Sequence, residues 1–214
     1  MPLVYTIGHS TRPVAEFIAI LEHVGIGLVA DIRTVPKSRH NPQFHIDRLA
    51  GSLAGGGGGV TPRGARGGGG ETGAENLRKR GGPPRHRRGG RAGPGAVSGS
   101  GRLPGLGGLR KPARDSINTG WRNASFRGYA DYMQTRSFEE AIEELIALTA
   151  EHVTVIMCAE AVFWRCHRRL VADALLVRGI DVQHIMGAST LTPAAMTSFA
   201  SVRGTRVTYP STPR

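Results

Sequence analysis

A chain of 214 residues with 31 glycines and a formal charge of +12 is long enough for one sizeable core and short for two. The charge is local: residues 51–114 hold thirteen of the 28 Lys and Arg but two of the 16 acidic residues, so +11 lies there, and a basic face spread over the whole domain is excluded. Two cysteines, no apolar run near the roughly 20 residues that span a bilayer, and no charged leader with an apolar stretch behind it argue against a disulfide scaffold and a membrane protein, leaving a soluble cytoplasmic chain with free thiols as the expectation.

LVYTIG, residues 3–8, reads as a strand stopped by Gly8, and Pro13 suits the first turn of a helix over PVAEFIAILEHVG. Val14, Phe17, Ile18, Leu21 and Val24 share one face of that helix, and Gly25 ends it. GLVADIR, residues 27–33, is a second apolar strand, so the chain opens as a β-α-β unit of a parallel sheet, followed by the basic loop TVPKSRHNPQF. Residues 54–103 then form a low-complexity Gly/Arg/Pro-rich insert. Between Phe44 and Trp121 there is no aromatic residue, and runs such as GGGGG and RHRRGG offer too little apolar area to offset backbone ordering of about 1–2 kcal/mol per residue. The insert is therefore expected to be disordered and to bind polyanions non-specifically.

Beyond it, GYADYMQTR has a helical pattern, and SFEEAIEELIALTAEH follows with Ser137 and Glu140 spaced as a capping box. VTVIMC is a buried strand, CHRRLVADALLVRG a helix ended by Gly179, and IDVQHI a last parallel strand. Residues 187–214 read as a polar tail in which SVRGTRVTYP suits a small hairpin.

Ligands of open α/β sheets bind beyond the carboxyl ends of the strands, which here deliver His9 and Ser10, then Asp31 and Arg33, then Cys158 and Glu160. Cys166, His167 and Arg168 open a helix at the same edge, where the helix dipole favours a thiolate. His9, Cys158, Glu160, Cys166 and His167 are the candidates for chemistry. Ser10, Asp31, Arg33, Arg39, Trp121, Arg122 and Arg168 are the candidates for substrate binding. Arg33, Lys37 and Arg39, with His40 and His45, form a basic loop suited to phosphate, and Trp121 and Arg122 fall outside the helical periodicity that assigns Phe126, Tyr129 and Met133 to packing. Cys158, Cys166 and His167 lack the paired spacing of a structural zinc site, so a metal there is the less favoured but still open reading, and the sequence leaves the cofactor unknown. Six residues separate Cys158 from Arg165, one more than a phosphatase-type loop has.

YTIGHSTR, DIRTVPKSRHNPQF, GLGGLRKPARDSINTGWRNASFRGYADYM and MCAEAVFWRCHRRLVADAL together resemble the DUF488 family of uncharacterised bacterial proteins over residues 3–50 and about 105–186. The resemblance implies a single Rossmann-like α/β domain over 1–186, a mostly parallel sheet with flanking helices, and places Cys158, Glu160, Cys166, His167 and Arg168 on the most recognisable motif. It also implies a helix and a strand between Leu53 and Leu103, where this chain has its Gly/Arg/Pro tract; a frameshift later restored or a true insertion gives such composition, and a lost strand would leave a gap in the sheet. Two functional readings follow. One is an enzyme acting on a phosphate-bearing substrate, a nucleotide or nucleic-acid end, through the Cys/His/Arg cluster. The other is a non-catalytic anion- or nucleic-acid-binding domain with its cysteines in packing roles.

Overall fold

The computed structural model describes residues 2–37, 40–54 and 97–211. Strands β1 (Leu3–Gly8), β2 (Leu28–Asp31), β3 (Gly99–Arg102), β4 (Thr154–Cys158), β5 (Asp181–Gly187) and β6 (Thr190–Pro193) form one sheet in the order β3-β2-β4-β1-β5-β6. The first five are parallel, and β6 runs antiparallel to β5. Apolar residues alternate between the two faces. Ile7, Val29, Val155 and Met157 pack with helix α1 (Val14–Val24) and helix α2 (Ile46–Ala54) on one side. Val4, Ala30, Ile156 and Val182 pack with α3 (Ala124–Tyr132), α4 (Arg136–Glu151) and α5 (Arg168–Leu176) on the other. This is the expected mostly parallel sheet with helices on both faces. No helix among the described residues is long and apolar enough to cross a membrane.

Helix termini follow local chemistry. Gly25 takes φ +79 and closes α1 with its N–H on the Glu22 and Leu21 carbonyls. Helix α4 starts two residues before the expected capping box: Thr135, extended at φ −96 and ψ 153, accepts the Phe138 N–H at 3.3 Å, and Ser137 lies inside the helix.

Both margins of the expected insert belong to the fold. Ala54 ends α2, Val97 and Leu103 are buried, and β3 fills the position beside β2 with the sequence GSGR, so the sheet has no gap there. A glycine-rich strand satisfies its neighbour because the ladder uses backbone groups alone. The expectation of disorder for the interval between, residues 55–96, lies outside the described residues.

The expected polar tail is likewise part of the packed body. After β6 the chain returns through β7 (Ser201–Arg203) and β8 (Arg206–Thr208), the hairpin of SVRGTRVTYP. Asp173, fully buried on α5, accepts the Thr197 N–H at 3.0 Å and the Tyr209 hydroxyl at 2.8 Å, and Asn118 Oδ1 accepts the Tyr209 N–H. Composition concealed this, because those residues are held by buried polar groups more than by apolar periodicity.

Candidate functional site

Strands β1 and β4 are neighbours whose following segments leave towards opposite faces of the sheet, α1 on one and α5 on the other. That divergence opens a crevice beyond Gly8 and Cys158, at the topological switch point of the sheet. The two strand ends are knitted together: His9 N–H donates to Cys158 O at 2.9 Å and Ser10 N–H to Ala159 O at 3.0 Å. Ser10 is the one described non-glycine residue at positive φ (+50). Gly8 is required by this approach, since a Cβ there would lie 1.9 Å from the Glu160 carbonyl oxygen.

A cavity of about 540 Å³ occupies the crevice, lined by Cys158, Glu160, Arg165, Cys166 and His167 on one side and by Thr34, Val35, Leu109 and Phe126 on another, with Arg33 at its edge. Cys166 is buried, one residue before the His167 N-cap of α5. Its sulfur accepts from Arg168 Nε at 3.4 Å and stands 3.6 Å from His167 Nδ1. The hydrogen bond with the Cys158 thiol, reinforced by His167 and Arg168, holds Cys166 well below the ordinary thiol range despite its burial. The same bond, with burial added, pushes Cys158 well above it. Within the pair, Cys166 is thus the sulfur whose ionisation is favoured and Cys158 the one that keeps its proton more firmly. Side chains rather than the helix dipole expected from the sequence are the leading causes.

Arg168 is almost fully buried, and its Nη2 donates to the carbonyl oxygens of Glu160 and Ala161. It thus fixes the loop after β4 instead of facing a ligand. Arg33 is also buried. It is held by Asp31 through Nε at 2.9 Å and Nη2 at 2.6 Å, and by the Phe44 carbonyl at 2.8 Å. His9 lies behind it, stacked on Phe44 at 4.2 Å, with Nδ1 on Ser10 O at 2.8 Å and Nε2 facing Arg33 Nη1 at 3.2 Å. Burial lowers its pKa to about 4 against the upward pull of the Ser10 carbonyl, with Arg33 lowering it further. Both ring nitrogens are occupied, and the structure brings His9 to the wall's second layer, away from the cavity. Asp31 and Ser10 likewise serve the scaffold.

The aromatic assignment is inverted. Trp121, expected as a ligand platform, is buried among Phe126, Phe199 and Tyr209 at centroid distances of 4.8, 4.9 and 5.5 Å, while Phe126, expected only to pack, is half-buried and faces the cavity. The tail residues Phe199 and Tyr209 cover Trp121, and these contacts span too much sequence to be read as periodicity. Arg122 is exposed and outside the cavity lining, and Arg39 lies outside the described residues. The lining residues not anticipated include Arg165, Thr34, Val35, Gly108 and Leu109. Gly108 passes so close to His167 that a Cβ would meet its Nδ1 at 2.3 Å, and the GLGG run was the available signal.

Ligand atoms of Cys158, Cys166 and His167 lie within 4.8 Å of one another, a proximity that their linear spacing did not reveal. Two sulfurs and an imidazole are a donor set that suits a thiophilic dication, and Arg168 Nε, 3.4 Å from the Cys166 sulfur, would compete with such an ion for it.

The fold and cavity define an open, doubly wound α/β protein with two neighbouring cysteines at the crevice beyond its central strands. Residues 101–175 match the family model described as domain of unknown function DUF488. The matched interval runs from the last two residues of β3 through α3, α4 and β4 to Leu175, one residue short of the end of α5, with Cys158, Glu160, Cys166, His167 and Arg168 inside it. No curated protein and no solved structure matches the chain.

Proposed function

We propose that the protein is a thiol-dependent enzyme acting on a phosphate-bearing substrate in this cavity, with Cys166 as its nucleophile. The observation that carries the reading is the Cys166 sulfur on the cavity wall, receiving Arg168 Nε–H at 3.4 Å with His167 Nδ1 3.6 Å away. A thiolate is the reactive form, and the two basic side chains with the Cys158 thiol favour it near neutral pH. The proton released by Cys166 passes to His167, which returns it to the departing group once the sulfur has bonded to the electrophile. Arg165, exposed on the cavity and in no ion pair among the described residues, supplies the cation for the phosphate. Glu160, on the same wall, is placed to accept a proton from water in the step that frees the sulfur.

The test is a time course of iodoacetamide labelling at pH 7, with the modified cysteine assigned by mass spectrometry, run with and without millimolar phosphate esters. Cys166 should label faster than Cys158 and be protected by an ester. Equal labelling of both thiols, or no protection by any phosphate ester, overturns the proposal.

A further inference from the structure

Part of the cavity lining is apolar. Val35 and Leu109 line it while remaining 57% and 70% exposed, and Phe126 lies between the apolar wall and the core. Large apolar side chains left open beside a crevice of about 540 Å³, a volume in the range of small-ligand sites, are covered when a ligand with an apolar body is bound. The shape of that body is set by Phe126. Its ring stacks on Trp121 at 4.8 Å and 17°, so one face is taken and the remaining face and edge are what it turns to the cavity.

Trp121 cannot yield: Phe199 and Tyr209 pack against it and the Arg169 guanidinium lies 5.5 Å from its ring centre. Phe126 is thus a fixed flat surface, backed by a second ring, on a cavity whose lining also carries Arg165 and Cys166. We infer that the site takes a phosphate ester of a planar aromatic ring system, of nucleoside monophosphate size, with its ring stacked on Phe126 between Val35 and Leu109 and its phosphate towards Arg165. This inference rests on the proposed function, which supplies the phosphate; the ring is its own addition.

Calorimetric titration of the full chain with adenosine 5′-monophosphate, ribose 5-phosphate and adenosine separates the two. Adenosine 5′-monophosphate should bind at least about tenfold more tightly than ribose 5-phosphate, the contribution of one base stack. Phe126→Ala should bring that ratio close to one. Phe126→Leu, which keeps an apolar side chain against Trp121, should reduce it by about the same factor, so a poorly folded alanine variant does not decide the matter. Arg165→Gln should weaken both phosphates equally and leave adenosine unchanged. Equal binding of the two phosphates to the unaltered chain, or an unchanged ratio in Phe126→Leu, overturns the aromatic subsite while leaving the phosphate reading standing. Binding of adenosine as tight as that of its monophosphate overturns the phosphate reading and, with it, the ester assigned here.

Discussion

Arg168 joins Cys166 to the loop after β4: its Nε donates to the Cys166 sulfur at 3.4 Å while its Nη2 holds the Glu160 and Ala161 carbonyls. One buried cation therefore serves both the charge state of Cys166 and the shape of the crevice. In Arg168→Lys the charge is retained and the fork is lost, so the pH midpoint of Cys166 alkylation should rise, and in Arg168→Met it should rise further towards the free-thiol value of about 8.5. The methionine variant also strands two carbonyls and should lose on the order of 2–3 kcal/mol of stability, read from denaturant melts. An unchanged alkylation midpoint in both variants would remove Arg168 from the account of the thiolate.

Two glycines at the site should fail in different ways when changed to alanine. At Gly8 the new Cβ would sit 1.9 Å from a backbone oxygen at the junction of the central strands, and neither strand can move alone. Gly8→Ala should be poorly folded, with a melting temperature well below that of the parent. At Gly108 the obstacle is the His167 ring at 2.3 Å, which can be displaced. Gly108→Ala should keep most of its stability yet slow Cys166 alkylation, since the imidazole is pushed from its place 3.6 Å from the sulfur. Equal stability losses in the two variants would contradict this distinction.

Acid should destabilise the fold through two buried histidines. His9 and His184 are each lowered from 6.5 to about 4, burial being the first cause in both. His9 faces Arg33, Asp31 and Arg168; His184 faces Arg168 and Arg169, accepts or donates at Thr6 Oγ1 at 2.8 Å and stacks on Phe163 at 3.7 Å. Between pH 6.5 and 4 the unfolded chain binds protons that the folded chain refuses, so stability is complete above 6.5 and falls as pH falls through that window. The gap corresponds to roughly 3 kcal/mol for each histidine. Asp173 opposes this at the acid end, because burial raises its pKa above 3.8. Melting at pH 7, 6 and 5 should show the decline, with a flatter slope in His184→Asn whatever its stability at pH 7; an equal slope would discount His184.

The sheet and its edge were legible because strands and helices write periodic apolar patterns: Val14, Phe17, Ile18 and Leu21 announce α1, and VTVIMC announces β4. The convergence of Cys158, Glu160, Cys166 and His167 followed from strand-end geometry and is the arrangement found in the cavity. What was illegible depends on contacts distant in sequence. Arg33 looked like a phosphate ligand until Asp31 and Phe44 were seen to occupy it, and His9 looked free until Arg33 and Ser10 enclosed it. β3 was hidden because GSGR has no apolar side chain to register in a pattern.

The proximity of the two cysteines makes an oxidation product predictable. Their sulfurs lie within 4.8 Å, with Cys166 the more readily ionised and Cys158 the less, so the two are neighbours from which a disulfide of about 2.05 Å is expected to form. With hydrogen peroxide the Cys166 thiolate takes up one oxygen to give the sulfenic acid, the second oxygen leaving as water after protonation. The Cys158 thiol then attacks that sulfur, water departs, and a Cys158–Cys166 disulfide remains, two hydrogens lighter than the reduced chain. Mass spectrometry of the intact protein should show this loss, and dithiothreitol should reverse it. In Cys158→Ser the first oxygen should still be taken up, but no resolving thiol is present, so the sulfenic acid should persist and proceed to the sulfinic acid on longer exposure. In Cys166→Ser the remaining thiol, held protonated by burial, should oxidise far more slowly. If Cys166→Ser reacts as fast as Cys158→Ser, the thiolate has been assigned to the wrong sulfur.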